Sequence, residues 1–166
     1  MNKKIILFMP SIEGGGVEKN LYILSNFLSK KFEMGIVTAD NISKKKFNKK
    51  IEFISPKTNF FHKKKKYFKY LICLYLLFKQ YRKNKNIAVF SFQANVYAII
   101  LSNILRIKII SRSNTSPSGW SNNFIKRWIF KTILKNANLI IVNSVEFKKE
   151  MKRKFNLNCK LIYNPL

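Results

Sequence analysis

Acidic residues are scarce in this sequence. Seven Asp and Glu stand against 33 Lys and Arg, for a net charge of +26. Such an excess draws a chain toward anions: nucleic acid, acidic lipid headgroups or phosphorylated ligands. AT-rich coding is a second source of the same excess, since Lys, Asn, Ile, Phe and Tyr are abundant together. Cysteine is nearly missing too. Cys73 and Cys159 lie far apart in sequence. That spacing argues against a disulfide framework or a metal site and fits a reducing cytoplasm. The lone histidine, His62, precedes Lys63-Lys64-Lys65-Lys66 and reads as a solvated helix start. Long apolar runs are also lacking. Tyr70–Phe78 is apolar all round a helix, but nine residues at 1.5 Å each reach only about 14 Å, against a bilayer core of about 30 Å. Met1-Asn2-Lys3-Lys4 leads straight into an apolar strand ending at Pro10, without the h-region and cleavage site of a secretory leader.

What is present is a folding sequence. With 47% hydrophobic residues over 166 positions, the chain can bury the core of one domain. Ile5–Met9 is a short apolar run, as expected for a strand covered on both faces. Val17, Leu21, Leu24 and Leu28 then fall on one helical face through about Lys31. Further strands are predicted at 34–38, 51–54, 87–90, 107–110, 139–142 and 160–163, with a lysine-rich loop at 44–50. Helices are predicted at 62–83, 95–105, 123–136 and 144–155, and Pro117 and Gly119 make 112–122 a loop. Alternation of this kind predicts an α/β domain: a Rossmann-like, doubly wound, mostly parallel sheet of about seven strands.

In such sheets ligands bind beyond the carboxyl ends of the strands. Those ends carry Gly14-Gly15-Gly16, then Ser91-Phe92-Gln93, Arg112-Ser113-Asn114 and Asn143-Ser144. Turns and caps call for the same residue types, and Asn143 with Glu146 reads equally as a capping pair. The glycine loop is neither of two common phosphate-binding strings. The dinucleotide fingerprint would need glycine where Lys19 stands, and no G-x-x-x-x-G-K-[ST] occurs. What is left is a pliant loop at a helix N-terminus, open to an anion or a sugar.

Ile6–Leu21, Ile110–Trp120, Ala137–Lys149 and the closing Tyr163-Asn164-Pro165-Leu166 resemble, in order and spacing, the N-terminal half of family 4 glycosyltransferases. That resemblance implies one half of a GT-B fold: residues 1–166 as a single acceptor-side domain, with the C-terminal nucleotide-sugar domain absent. It further implies retaining transfer, without a protein nucleophile, from a nucleotide sugar (UDP-sugar) to a lipid-linked or glycan acceptor in surface polysaccharide biosynthesis. Gly14, Gly15 and Gly16 would line the donor diphosphate and acceptor; Arg112, Ser113 and Asn114 would border the acceptor. Asn143, Ser144 and Glu146 would sit at the cleft edge. The family's acceptor loop often holds a histidine where Ser113 stands, so no catalytic residue is assigned. No metal and no cofactor within this chain are implied.

The helix at 62–83 has two readings. With Tyr67, Tyr70, Leu71, Leu74, Phe78 and Tyr81 on the sheet, Phe68, Ile72 and Leu76 would face outward between Lys63–Lys66 and Lys79, Arg82, Lys83 and Lys85. That pattern suits a helix lying in an anionic membrane interface on the cytoplasmic side; a helix buried on two sides with solvated ends fits as well. Arg127, Lys131 and Lys135 add a basic stripe to a later helix. A nucleic-acid binder is disfavoured, because the aromatics fall in apolar core runs and no zinc or RRM-like spacing occurs. A non-catalytic docking half working with a separate C-terminal-domain polypeptide, or an inactive remnant, completes the set of readings.

Overall fold

A computed structural model describes residues 3–58, 65–115 and 123–164. Seven strands form one all-parallel sheet: β1 (Lys4–Phe8), β2 (Met34–Val37), β3 (Glu52–Ile54), β4 (Ile87–Ser91), β5 (Lys108–Ser113), β6 (Leu139–Val142) and β7 (Lys160–Leu161). Their order is β3-β2-β1-β4-β5-β6-β7. The chain therefore winds outward from β1 in one direction, returns, and winds outward in the other. The predicted doubly wound α/β class is the observed one.

Strand alternation sorts the core into two layers. Ile6, Phe8, Val37, Val89, Ile109, Ile140 and Val142 point to one face. There they meet Cys73 and Leu77 of α2 (Lys66–Lys83), Ala98 and Ile99 of α3 (Asn95–Ile104), Leu134 of α4 (Phe124–Leu134), and Met151 and Phe155 of α5 (Val145–Phe155). Leu7, Met9, Ile36, Phe90, Phe92 and Ile141 point to the other face, where Leu21 of α1 (Gly16–Leu28) joins them. Strands covered on both sides must be apolar throughout, which is why their sequences run as continuous hydrophobic stretches.

Several boundaries differ from expectation. β5 continues past Ile110 to Ser113, because β6 offers Ile140, Ile141 and Val142 as ladder partners for Ser111, Arg112 and Ser113. Arg112 and Ser113 are thus strand residues and not loop residues. A six-residue 3-10 helix (Asn41–Lys46) occupies the start of what reads as a lysine loop, and β7 is only two residues long. Residues 62–64, and so Lys63 and Lys64, lie outside the described residues, as does most of the Pro117–Gly119 loop; α2 begins at Lys66 with Lys65 as its N-cap.

α2 also turns a different face inward. Lys69, Cys73, Leu77 and Gln80 are its buried residues, and Ile72 and Leu76 pack against the core instead of facing outward. Phe68 is exposed as expected, joined by Tyr67, Leu71, Tyr75 and Phe78. The two polar residues on this inward face meet acceptors: Lys69 Nζ lies 3.1 Å from Asp40, just past β2, and Gln80 Nε2 donates to Glu52 of β3 at 3.3 Å. A hydrophobicity count treats both as outside residues.

Candidate functional site

The carboxyl ends of β1, β4 and β5 open into a cleft of about 830 Å³. Its wall includes Glu18 and Val17 from α1, Gln93, Asn95 and Tyr97 around the start of α3, and Arg112, Ser113 and Asn114 from β5. Lys66 and Tyr70 of α2 and Ile129 of α4 also contribute. Arg112, Ser113 and Asn114 are therefore brought together in one concavity. Gly14, Gly15, Gly16, Asn143, Ser144 and Glu146 are not in that wall. The glycines are exposed, and Gly14 is the one glycine among the described residues in the left-handed region, at φ +90°.

Side chains and backbone lock the β5 end in place. Asn95 Nδ2 donates to the Arg112 carbonyl at 2.8 Å, and Asn95 Oδ1 accepts from Ser91 Oγ at 2.7 Å. Asn114 Nδ2 donates to the Phe92 carbonyl at 2.9 Å. Arg112 itself is only 4% exposed. Its Nε donates to Asn114 Oδ1 at 3.2 Å, its Nη2 donates to Asn164 Oδ1 at 2.6 Å, and its guanidinium stands 5.8 Å from the Phe92 ring centroid. Burial pushes the Arg112 pKa down, yet a guanidinium stays charged at any physiological pH.

A second network lies beneath the glycine loop, and sequence reasoning missed it. Asp40, fully buried after β2, accepts from the Ile12 N–H at 2.7 Å and from Ser11 Oγ at 3.2 Å. Lys69 reaches over from α2 to Asp40 at 3.1 Å, to Ser11 Oγ at 2.9 Å and to Glu13 at 3.5 Å. The Ser11 N–H donates to Gln93 Oε1 at 2.9 Å, which ties the loop to the cleft wall. The Ser11 hydroxyl, with Lys69 behind it, holds the Glu13 carboxyl below its ordinary range. One signal for this network was legible. With so few acids in the chain, Glu13 and Asp40 both fall in the short segments after apolar strands, away from any solvated helix face.

The expected capping pair is replaced by another. Ser144 is the N-cap of α5 and accepts from the Phe147 N–H at 3.2 Å. Asn143 precedes the cap, and its Oδ1 is buried without a hydrogen-bond partner. Glu146, in the first turn, has its pKa lowered by its own backbone N–H and by Ser144.

No family model and no curated protein sequence matches the chain. Solved structures do. HepE from Anabaena, in complex with UDP and glucose, superposes with a TM-score of 0.66 at 20% identity, over 99% of this chain and 45% of that one. MurG from Acinetobacter baumannii gives 0.61 at 14% identity, over 97% and 45%. A UDP-glucosyltransferase from Polygonum tinctorium gives 0.61 at 13%, over 100% and 53%. The chain spans about half the length of these proteins. Its fold is one half of a GT-B glycosyltransferase fold.

Proposed function

We propose that this chain is the acceptor-side half of a retaining family 4 glycosyltransferase. It helps move a sugar from a UDP-sugar to a lipid-linked or glycan acceptor in surface polysaccharide assembly. The observation that carries the reading is the near-complete superposition on one half of structures solved with UDP and glucose or with UDP-glucose. The cleft supports it, because polar groups from four chain segments converge beyond the carboxyl ends of the strands. In this reading Gly14–Gly16 border the donor diphosphate, and Arg112, Ser113 and Asn114 border the acceptor. Asn143, Ser144 and Glu146 stand at the edge facing a second, nucleotide-sugar-binding domain, on the same or a separate polypeptide. Catalysis then rests on positioning and leaving-group stabilisation.

A cytoplasmic membrane surface is the proposed place of work. α2, α3 and α4 pack side by side. They leave Tyr67, Leu71, Tyr75, Ile104, Phe124 and Trp128 between 58% and 74% exposed. Exposed Lys65, Lys66, Lys79, Arg82 and Lys83 flank the first of these helices. No helix among the described residues is long and apolar enough to cross a membrane, so the association would be interfacial. A lipid-linked acceptor would be met there directly.

The decisive experiment recovers the native polypeptide from source membranes, measures its mass with any stoichiometric companion, and assays label transfer from UDP-glucose and other UDP-sugars. A longer chain or a nucleotide-sugar-binding partner that supports transfer establishes the reading. A lone chain of this length that neither binds nor transfers sinks it and leaves a non-catalytic docking half or a remnant.

A further inference from the structure

Three cationic side chains among the described residues are buried: Lys4, Lys69 and Arg112. Two of them have carboxylates. Lys4 pairs with Glu33 at 3.1 Å and with Glu52, and Lys69 pairs with Asp40 and Glu13. Arg112 has none; its acceptors are two neutral amide oxygens, those of Asn114 and Asn164. Five N–H groups radiate from a guanidinium, so Nη1 and the second hydrogen of Nη2 are left without an acceptor among the described residues. A buried charge without a counterion is costly, and proteins almost always pair it. Arg112 cannot escape by losing its proton. It also lies in the cleft wall beside Ser113, with Lys66 adding a second cation to the same wall and Glu18 its one carboxylate.

We propose that Arg112, held by Asn114 and Asn164, is the recognition residue of a phosphate subsite in this cleft, taking a phosphoryl group carried by a substrate. The planar fork suits two oxygens of one phosphate group, and its strength rises where water is excluded. Phe92 backs the guanidinium and Asn114 fixes its plane, so the fork is aimed before a ligand arrives. The phosphate could belong to the diphosphate of a nucleotide donor or to a phosphorylated acceptor. The inference rests on the proposed transferase reading for the identity of that substrate, but not for the existence of the subsite.

The test is inorganic phosphate binding followed by calorimetry at fixed ionic strength, set with chloride because a net charge of +26 attracts any anion. Saturable binding is expected in the wild type, with Arg112→Gln at least tenfold weaker and Arg112→Lys intermediate. Lys45→Gln, on the exposed 3-10 helix, should leave it unchanged. Equal phosphate affinity in Arg112→Gln overturns the subsite. If Arg112→Gln fails to fold, Arg112→Lys decides: undiminished affinity overturns it. Acetate binding as tightly as phosphate overturns the phosphate assignment. UDP and decyl phosphate then separate the sources: loss of UDP binding in the variant assigns the donor, and loss of decyl phosphate binding the acceptor. Arg112-dependent phosphate binding without sugar transfer from any UDP-sugar would sink the transferase reading alone. Transfer that is indifferent to Arg112→Gln would sink the subsite alone.

Discussion

Replacing Lys69 with methionine isolates the network under the glycine loop. The substitution keeps the aliphatic stem and removes an ammonium that touches Asp40, Ser11 and Glu13. Asp40, at 0% exposure, keeps its carboxylate in the core. Deleting one partner of a buried pair costs about 3–5 kcal/mol. The Ile12 N–H and Ser11 hydroxyl still donate to Asp40, so the lower end, about 3 kcal/mol, is expected. In a domain of this size that lowers Tm by roughly 6–12 °C. Urea denaturation and thermal melts at pH 7 read the loss directly. The double variant Lys69→Met/Asp40→Asn should fall short of the sum of the single losses by more than about 1 kcal/mol, because the two residues share one interaction. A single-variant loss under about 0.5 kcal/mol, or strict additivity, would refute the reasoning. The glycine loop would then be held by Asp40 and Gln93 without help from the ammonium.

Three further outcomes are expected. Burial raises the Cys159 thiol to about 11 and pushes Cys73 higher still, so a thiol reagent at pH 8 should label neither until the chain is denatured. Ser144→Ala should cost about 1 kcal/mol as a lost N-cap, measured by urea denaturation, whereas Asn143→Ala removes no hydrogen bond and should cost less. Glu13 has its folded pKa below its usual 4.5. Its contribution is therefore present above the unfolded value and lost as pH falls through the folded one, and Glu13→Gln should flatten the stability curve below about pH 5.

The sheet and its helices were legible because strands buried on both faces leave short, continuous apolar runs between helical periodicities. The β5 end was not. Ser111, Arg112 and Ser113 are polar, and only the ladder to β6 makes them a strand. The inward face of α2 was hidden for a related reason. Lys69 and Gln80 look like solvent residues until Asp40 and Glu52 are placed opposite them. Arg112, Ser113 and Asn114 were singled out by their place at the end of a predicted strand, and all three line the cleft although the first two belong to β5 itself. Asp40 and Lys69 escaped because their partnership joins β2 to α2 across distant sequence.

The central place of β1 also constrains how the chain reaches its fold. β1 pairs on one side with β2, its near neighbour in sequence, and on the other with β4, where Lys4 stands against Ile87. During synthesis the β4-facing edge of β1 must therefore wait until β2, β3 and the whole of α2 have emerged. The nascent chain thus carries an unpaired apolar edge until β4 emerges, a template for wrong strand pairing. Long-range parallel pairing of this kind makes folding slow. Production of this protein should depend more on translation rate and chaperone supply than on the stability of the finished domain.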